Sequence, residues 1–342
     1  MNPIDASANL SELEFALLNR FQRDFPLQPR PFKTVAQQLS STEQAVMDHL
    51  RRLQQNGLVS RVGAVFRPNA IGASALAALA VPPQRLEAVA GIVSALAEVN
   101  HNYQREHRYN LWFVVAAPSA QRLQAVLRLI EASCHCGPVL VLPLLEDFHI
   151  DLGFDLSMQA GKTFSYGATP TAAVERQDAP LALNAAQQTL VAALQQGLPW
   201  VSRPYAALGL PESQALATMS HWLASGVIKR LGVVVRHHEL GYQANAMAVW
   251  DVPDHLVSQV GREVAATGRV TLCYRRSRQL PSWPYNLFCM IHGKDRGDVA
   301  ARVEALARLC QLEGYAHAVL FSCRRFKQCG ARYAPSAELA HG

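Results

Sequence analysis

The chain has 342 residues, of which 50% are hydrophobic and 17% charged, a balance typical of a globular protein that buries a core. No stretch approaches the roughly 18 consecutive apolar residues that cross a bilayer, and no basic start precedes an apolar run near the N-terminus, so we expect a cytosolic protein without a membrane partner. The seven cysteines favour reduced thiols, and the net charge of +6 indicates an anionic partner, either nucleic acid or a polycarboxylate or phosphate ligand.

The first elements form a predicted helix-turn-helix. Apolar residues at helical spacing predict a helix over Leu10–Phe21, and two more helices are predicted over Thr34–Leu39 and Glu43–Gln55. The residues "SST" between the last two supply a Ser or Thr that can cap the third helix. The stretch "GLVSRVGAVF", which starts at Gly57, predicts a short β-hairpin. A helix-turn-helix followed by such a hairpin is a winged helix.

The next segment has the pattern of a ferredoxin-like domain. Its order of strand, helix, strand, strand, helix, strand is the βαββαβ arrangement. The predicted elements are Ala73–Val81, Gln84–Leu96, Val99–Arg105, Tyr109–Ala116, Ala120–Ala132 and Val139–Leu145. The first half of the chain is therefore expected to be a winged helix followed by an α+β sandwich.

The second half repeats the first. "GLVSRVGAVFRPNAIG" (Gly57–Gly72) and "GVIKRLGVVVRHHELG" (Gly226–Gly241) keep their glycines and arginines in register. The predicted elements of this copy are Ala185–Leu194, Tyr205–Leu208, Glu212–Ala224, Ala244–Val252, His255–Ala266, Val270–Arg276, Tyr285–His292, Arg296–Leu312 and Ala316–Phe321. The fold class is thus α+β, a tandem repeat of a winged helix-turn-helix and a ferredoxin-like βαββαβ domain.

Domain boundaries follow from the repeat. Ser157–Leu181 is rich in Gly, Ala, Thr, Pro and Gln without a sustained apolar period, which is typical of a linker. We therefore divide the chain into a winged helix at 1–72, a ferredoxin-like domain at 73–156, a linker at 157–181, a second winged helix at 182–241 and a second ferredoxin-like domain at 242–335.

One hairpin in each ferredoxin-like domain is unusually polar. In "NYQREHRYNLWF" the strand period places Tyr103 and Arg105 on one face, Tyr109 follows the turn, and His107 lies in or beside it. The second copy, "CYRRSRQLPSWPYNLFCM" from Cys273, keeps Tyr-x-Arg and Tyr-Asn-Leu-aromatic but inserts residues between them. The insertion indicates a loop, and the second copy has no counterpart of the histidine. An exposed hairpin tip is the alternative interpretation.

The residue types of the hairpins favour a carboxylate-rich substrate. An Arg guanidinium pairs with a planar carboxylate through two hydrogen bonds, and a Tyr or His beside it can donate a proton. The last strand regions of the two halves differ in charge: the second contains Arg324, Arg325, Lys327 and Arg332, and the first contains Glu146, Asp147, Asp151 and Asp155. The second half is accordingly expected to bind anions better.

The winged helices raise the alternative of DNA binding. In the first copy the predicted recognition helix has only Arg51 and Arg52 as cations, late in the helix, whereas base readout usually uses early residues. The second-copy helix, Glu212–Ala224, has no Lys or Arg. Because phosphate contacts dominate DNA affinity, a structural or assembly role is favoured.

Metal ligation has little support in the spacing of cysteines and histidines. "CHC" at Cys134–Cys136 crowds three candidate ligands into three residues without a partner pair, so an ordinary loop is favoured. If the ligand contains iron, His237 or His238 in "RHH" is a candidate axial ligand, although an exposed end of the wing explains them as well.

The whole pattern resembles a known family. A winged helix plus βαββαβ is similar to the Lrp/AsnC regulators, and the hairpins resemble the siroheme decarboxylases of heme d1 biosynthesis within that superfamily. The Tyr-x-Arg-x-x-x-Tyr-Asn-Leu-Trp motif of one subunit matches Tyr103–Trp112, and the longer motif of its partner matches Cys273–Gly293, including "WPYNLFCMIHG". The resemblance covers nearly all of both halves and implies a fused two-subunit form.

This resemblance implies that two acetate side chains of siroheme lose their carboxyl groups, giving 12,18-didecarboxysiroheme. It implies no cofactor, because the siroheme iron enters with the substrate. Arg105 and Arg276 are then expected to hold substrate carboxylates. Proton delivery is assigned to His107, His101, Tyr103 and Tyr274, and further substrate contacts to Arg275, Tyr109, Tyr285, His237, His238 and His292.

Three functions follow from the sequence. The first is the siroheme decarboxylase, in which one half binds while the other reacts or both react. The second is a heme-responsive transcription regulator, and the third is a noncatalytic tetrapyrrole carrier. The expected partners are siroheme and either a second copy of the chain or a second related decarboxylase pair, with neither DNA nor a membrane.

Overall fold

The computed structural model describes residues 10–150, 180–236 and 244–333. Most of the expected linker at 157–181 lies outside the described residues, as do His237 and His238. Within the described ranges, no helix is both long enough and apolar enough to cross a membrane.

The first half contains the expected winged helix and ferredoxin-like elements. They are α1 (Glu12–Arg20), α2 (Pro31–Gln38), α3 (Glu43–Gln55), β1 (Val59–Phe66), β2 (Ala73–Leu79), α4 (Leu86–Ala95), β3 (Val99–Arg105), β4 (Leu111–Ala117), α5 (Ala120–Cys134) and β5 (Leu140–Ile150). Thr42 of the "SST" segment caps α3, because its Oγ1 accepts the Ala45 N–H at 3.2 Å.

The second half repeats this order and confirms the tandem α+β fold. Its elements are α6 (Ala185–Gln196), α7 (Glu212–Ala224), β6 (Ile228–Val235), β7 (Ala244–Trp250), α8 (Val257–Ala266), β8 (Leu272–Arg276), β9 (Leu287–Gly293), α9 (Arg296–Leu309) and β10 (His317–Gln328). The predicted helix at Tyr205–Leu208 is a short 3₁₀ turn, Pro204–Ala207.

The predicted wing hairpins are wrong. Each copy supplies a single strand, and β1 and β6 pair with each other in an antiparallel two-stranded ribbon with Gly63 opposite Gly232. Gly232 is needed because neighbouring backbone approaches closely: a Cβ there would lie 2.1 Å from the Gln22 carbonyl oxygen, whereas one at Gly63 would lie 3.3 Å from the Gly197 Cα, a tight contact that a small shift relieves. The ribbon therefore joins the two winged helices.

The eight remaining strands close into one sheet, in the order β10-β3-β4-β2-β5-β8-β9-β7, with β7 paired to β10. The start of β5 pairs with β2 of its own half, and its end pairs with β8 of the other half. In the same way β10 pairs first with β7 and then with β3. Both strands extend beyond the predicted Val139–Leu145 and Ala316–Phe321 because their second parts find partners in the opposite half.

Hydrophobic packing divides the sheet into an outer and an inner face. The helices cover the outer face, where Phe113 and Val99 pack in the first half and Cys289 and Ile291 in the second. A separate inner cluster contains residues of both halves, including Trp112 and Trp283. Full burial of a large apolar side chain stabilises a fold by about 1.5–3 kcal/mol, so the inner cluster binds the halves together.

Candidate functional site

The polar residues of both hairpins lie on the inner face of the closed sheet. On β3, Asn102 points outward, since its Nδ2 donates to the Ala90 carbonyl oxygen of α4 at 3.1 Å. Alternation along the strand then turns its neighbours Tyr103 and Arg105 inward. Tyr103 lies opposite Trp112 of the inner cluster, which confirms that the tyrosine and the arginine share a face.

Arg105 reaches from the first half into the second. Its side chain is buried, with 6% of the residue exposed, and its Nη1 donates to the Leu320 carbonyl oxygen at 3.0 Å and to Asn245 Oδ1 at 3.4 Å. Asn245 lies opposite His292 in the pairing of β7 with β9. The guanidinium therefore meets an amide and an imidazole of the other half.

Tyr103 lies between Arg105 and His101. The His101 Nδ1 is 3.4 Å from the Tyr103 hydroxyl oxygen, and the two rings stack with their centroids 6.0 Å apart. On the other side, the Arg105 Cζ lies 5.8 Å from the Tyr103 ring centroid. We call the group formed by these residues the first-hairpin site; it comprises His101, Tyr103, Arg105, Asn245 and His292.

The equivalent second-hairpin site is less polar. Arg276 donates from Nη1 to the Leu142 carbonyl oxygen at 2.8 Å, and its Cζ lies 5.1 Å from the Tyr274 ring centroid. The strand registers show which residues take the equivalent positions. Leu272 stands where the first-hairpin site has His101. Ser74 replaces Asn245, and Ala116 replaces His292. Both sites have a tyrosine and an arginine, but the two imidazoles belong to the first-hairpin site.

Burial sets the protonation of these groups. It lowers the pKa of His101 to about 4. Burial, with a contribution from the charge of Arg105, also lowers the pKa of His292 to about 4, so both imidazoles are neutral at pH 7. Burial lowers the pKa of Arg105 to about 10, which leaves it charged, and raises the pKa of Tyr103, which keeps its hydroxyl protonated.

The second-hairpin site holds polar atoms that have no partner within the described protein. Arg276 Nε, Ser277 Oγ and Trp283 Nε1 are buried and make no hydrogen bond. Buried polar groups are nearly always satisfied, so a bound molecule with oxygen acceptors would meet unpaired donors here. The second hairpin therefore offers binding groups without the histidines of the first.

A cluster of rings connects the two sites. Trp283, supplied by the insertion in the second hairpin, is fully buried, with its ring centroid 5.1 Å from Trp112, 5.0 Å from Tyr285 and 5.3 Å from His107. Tyr109 stacks beside His107 and donates its backbone N–H to the His107 Nδ1 at 3.0 Å. Three residues predicted to contact substrate or deliver protons, His107, Tyr109 and Tyr285, thus lie in this cluster and not beside Arg105.

Arg275 lies apart from the other predicted site residues. It alternates with Tyr274 and Arg276 along β8, and its Nη2 is 3.5 Å from Asp254 Oδ1 on the opposite side of the strand. Its guanidinium therefore pairs with a carboxylate of its own half, and we leave it out of the proposed site.

The charge at the ends of the two halves is placed differently from what the sequence predicts. Because β10 crosses to the first half, its cations lie beside the first hairpin. Arg324 pairs with Glu87 of α4 at 2.6 Å, and Lys327 donates to the carbonyl oxygens of Ser94 and Leu96 at 2.8 Å. Arg324 and Lys327 thus face the outer helix, and Arg325, which lies opposite Tyr103, is the cation of β10 that faces the first-hairpin site.

Sequence reasoning missed Asn245, Ser322 and the position of Trp283. Ser322 lies opposite Arg105 on β10, and Asn245 reaches Arg105 from β7. No motif marks either residue, since both depend on strand pairing between the halves. Trp283 belongs to the motif "WPYNLF", and its position inside the insertion was the one sequence feature that set it apart.

The arrangement is suited to a carboxylate reaction in a site with little water. A buried guanidinium fixes an anion, a protonated phenol donates a hydrogen, and neutral imidazoles accept or pass on a proton. Among the described residues, no cluster of three or more His, Cys, Asp or Glu side chains is placed to hold a metal ion.

Comparison with known proteins identifies the family. A family model described as the siroheme decarboxylase NirDL-like HTH domain matches residues 14–59, and one described as the AsnC-like ligand binding domain matches residues 70–149 and 239–327. The siroheme decarboxylase NirDL subunit of Paracoccus pantotrophus is 40% identical over 327 residues, which cover 94% of this chain and 97% of that subunit.

Two solved structures agree with this match. A crystal structure of the siroheme decarboxylase NirDL has a TM-score of 0.67 at 30% identity and covers 92% of this chain and 93% of that one. Another, in co-complex with an iron-uroporphyrin III analogue, has a TM-score of 0.66 at 29% identity, with 94% and 93% covered. The chain belongs to the siroheme decarboxylase family, in the fused form in which both related halves share one polypeptide.

Proposed function

We propose that this chain is a siroheme decarboxylase that converts two acetate side chains to methyl groups and yields 12,18-didecarboxysiroheme for heme d1 biosynthesis. The observation that carries the proposal is a buried arginine beside a protonated tyrosine and two neutral histidines on the inner face of the closed sheet. Relatives of the same length are named siroheme decarboxylases, and one solved relative holds an iron-uroporphyrin analogue.

The reaction breaks one carbon–carbon bond and forms one carbon–hydrogen bond for each acetate. Carbon dioxide leaves the methylene carbon, and the electron pair that remains is delocalised into the macrocycle. A proton then completes the methyl group. The reaction needs no electron donor or acceptor, and the iron is part of the substrate.

Arg105 holds the reacting carboxylate in this scheme. Its guanidinium is fixed by the Leu320 carbonyl oxygen and Asn245 Oδ1, which leaves other N–H groups for the substrate. His292 lies next to Asn245, and its Nδ1 is 3.0 Å from Thr271 Oγ1, so its ring orientation is set by the protein. Fixing the carboxylate beside a proton donor lowers the entropic barrier to reaction.

Tyr103 delivers the proton. Burial raises its pKa, so the hydroxyl carries its hydrogen at neutral pH, although the charge of Arg105 opposes that shift. His101, 3.4 Å from the hydroxyl oxygen, is placed to resupply the proton after each turnover. General acid catalysis of this kind contributes roughly 10²–10⁴-fold to a rate.

The second-hairpin site binds and does not react in this scheme. Arg276 Nε and Trp283 Nε1 are buried donors that a substrate oxygen would satisfy. Leu272 and Ala116 stand where the first-hairpin site has imidazoles, so among the described residues these two positions offer no path for proton resupply. The two acetates therefore react one after the other at the first-hairpin site.

No observation favours the transcription regulator. Three described cations of the first helix-turn-helix are in ion pairs: Arg52 with Glu14 at 2.6 Å, Arg51 with Asp48 at 2.8 Å, and Arg30 with Glu43. The wing strands pair with each other. Phosphate contacts, on which DNA affinity depends, would have to break these pairs.

The direct test is anaerobic incubation of the purified chain with siroheme, followed by mass spectrometry of the tetrapyrrole. We expect a mass loss of two carbon dioxide molecules. Spectral binding without any mass loss would identify a carrier, and a salt-dependent shift of promoter DNA would identify a regulator. A homo-oligomer, or pairing with a second related decarboxylase, stays a prediction that light scattering on the same sample tests.

A further inference from the structure

Opposite charges stand at equivalent positions beside the two sites, on the exposed Arg325 and the half-buried Asp147, and we call each of these positions the mouth of its site. Arg325 of β10 lies opposite Tyr103, and Asp147 of β5 lies opposite Tyr274. Residues that face each other across paired strands share one side of the sheet, so each charge stands on the inner face beside a tyrosine. The exchange of the last strands between the halves thus gives the first hairpin a cation and the second an anion.

The two charges shift the pKa values of the two tyrosines in opposite directions. Burial is the main cause of the raised pKa of both hydroxyls, but Arg325 acts against it at Tyr103, whereas Asp147 adds to it at Tyr274. Arg325 is itself anchored, because its Nη1 donates to Gln328 Oε1 at 3.1 Å. Gln328 lies opposite His101, and both Gln328 and Arg325 are exposed, so Arg325 stands at an exposed edge of the first-hairpin site.

The electrostatic balance of the two sites differs accordingly. In the first-hairpin site the charges of Arg105 and Arg325 add, since both histidines are neutral at pH 7. In the second, Asp147 brings a negative charge to Tyr274, beside which Arg276 brings a positive one. A reversal of sign beside the tyrosine therefore favours one orientation of an anionic substrate over the other.

We propose that Arg325 and Asp147 are the residues that orient the substrate, so that the reacting acetate enters the first-hairpin site and the second-hairpin site holds its part of the macrocycle more weakly. This inference rests on the proposed function. The substrate class is a tetrapyrrole polycarboxylate, whose edges all carry anions and would otherwise fit either hairpin. Neither residue takes part in the chemical step, so both act on binding and orientation.

The neighbouring residue provides a matched control. Arg324 is on the same strand, is exposed like Arg325, and points to the outer face, where it pairs with Glu87. Arg325→Glu and Arg324→Glu change the net charge of the protein equally. The first reverses the charge at the mouth, and the second reverses a charge that the site does not face.

Steady-state decarboxylation of siroheme measures the difference. We expect Arg325→Glu to raise KM roughly 10- to 100-fold, the range of a lost charge-assisted hydrogen bond, with kcat within about threefold of the unmodified chain. Arg324→Glu should leave KM within about twofold. Added salt should weaken substrate binding more in the unmodified chain than in Arg325→Glu. Equal KM values for the two variants would overturn the inference.

A charge exchange tests orientation separately from affinity. In Arg325→Glu combined with Asp147→Arg, the attractive mouth belongs to the second hairpin. We expect siroheme titration, followed by absorbance, to recover binding at least tenfold relative to Arg325→Glu alone, while the decarboxylation rate stays at least tenfold below that of the unmodified chain. Recovery of both binding and rate would contradict the inference. An unmodified chain that never decarboxylates siroheme would instead sink the proposed function.

Discussion

The two hairpins of this chain share a tyrosine and an arginine, but the residues around that pair differ. Each presents a tyrosine and an arginine to the inner face, and each arginine donates to a carbonyl oxygen of the other half's last strand, Leu320 or Leu142. Next to these shared residues, the first-hairpin site has His101 and His292, whereas the second-hairpin site has Leu272 and Ala116 at the equivalent positions.

The difference teaches that the tyrosine and arginine are not sufficient to define a reacting site. They occur in both halves because the arginine also holds the sheet together, which is a structural task. In the proposed function, the neighbours that set protonation distinguish the reacting hairpin from the binding one. Substitutions made in pairs, one in each half, separate the structural task from the chemical one.

The largest effect is expected from removing the phenolic hydroxyls. Tyr103→Phe should lower kcat roughly 10²–10⁴-fold because the proton donor is lost. Tyr274→Phe, at the equivalent buried position, should lower it less than tenfold. Single-turnover decarboxylation with product mass detection measures both. A larger loss for Tyr274→Phe would assign the reaction to the second hairpin.

The next effect is expected from the arginines. Arg105→Ala should lower kcat/KM about 100-fold, and Arg276→Ala about 10-fold, since a charged hydrogen bond to a carboxylate is worth roughly 1.5–3 kcal/mol. Each variant loses one hydrogen bond to a carbonyl oxygen of a last strand, so their thermal unfolding midpoints should fall together. Equal losses of activity would mean that both arginines serve the same function.

An intermediate effect concerns acid stability. Burial lowers the pKa of His101 and of His292 to about 4 from 6.5, so the unfolded chain binds more protons between those pH values. The free energy of unfolding is therefore expected to fall as the pH drops from about 6.5 to about 4, with a total of the order of 1–3 kcal/mol for each histidine. Arg105, which faces His292, and Tyr103, which faces His101, do not titrate in this window.

Urea unfolding between pH 4 and pH 7 measures this slope. His101→Leu combined with His292→Ala, which copies the residues of the second half, should flatten it. His135→Asn, at an exposed position with φ 47°, serves as a control, because Asn tolerates that backbone conformation and the site is not touched. An unchanged slope in the double variant would refute the assignment of acid sensitivity to the first-hairpin site.

The smallest effect is expected at His107. Its Nδ1 accepts the Tyr109 N–H, and its ring contacts Trp283, so it supports the turn and does not face Arg105. His107→Ala should lower kcat/KM no more than about fivefold. His107→Asn, whose side-chain oxygen can accept the same hydrogen bond, should restore much of that loss. A fall of kcat/KM by 100-fold or more would show that His107 takes part in proton delivery.

The sequence predicted the element order well because helical and strand periods are local properties. Its repeat identified the two halves, and the alternation along β3 correctly paired Tyr103 with Arg105. What it could not predict were contacts between the halves. The prediction of a wing hairpin was wrong for this reason. "GLVSRVGAVF" has the composition of two short strands around a glycine, but Gly63 lies in a continuous strand whose partner is β6.

The candidate site shows the same limit. Arg105, Tyr103 and His101 are marked by the hairpin motif, whereas Asn245 and Ser322 become neighbours of Arg105 only through the closed sheet. The charge of the last strands was seen in the sequence but assigned to the wrong half, because nothing in a strand's composition reveals that it pairs across a domain boundary.

The exchange of β5 and β10 also explains why two unequal copies benefit from a single polypeptide. Two identical halves would build two identical pockets, and any change in one would appear in the other. Covalent linkage makes the pairing of unlike halves obligatory at a ratio of one to one. Under that constraint the two sites can differ, with imidazoles beside one tyrosine and Asp147 opposite the other, so linkage permits a division of labour that a symmetric pair does not allow.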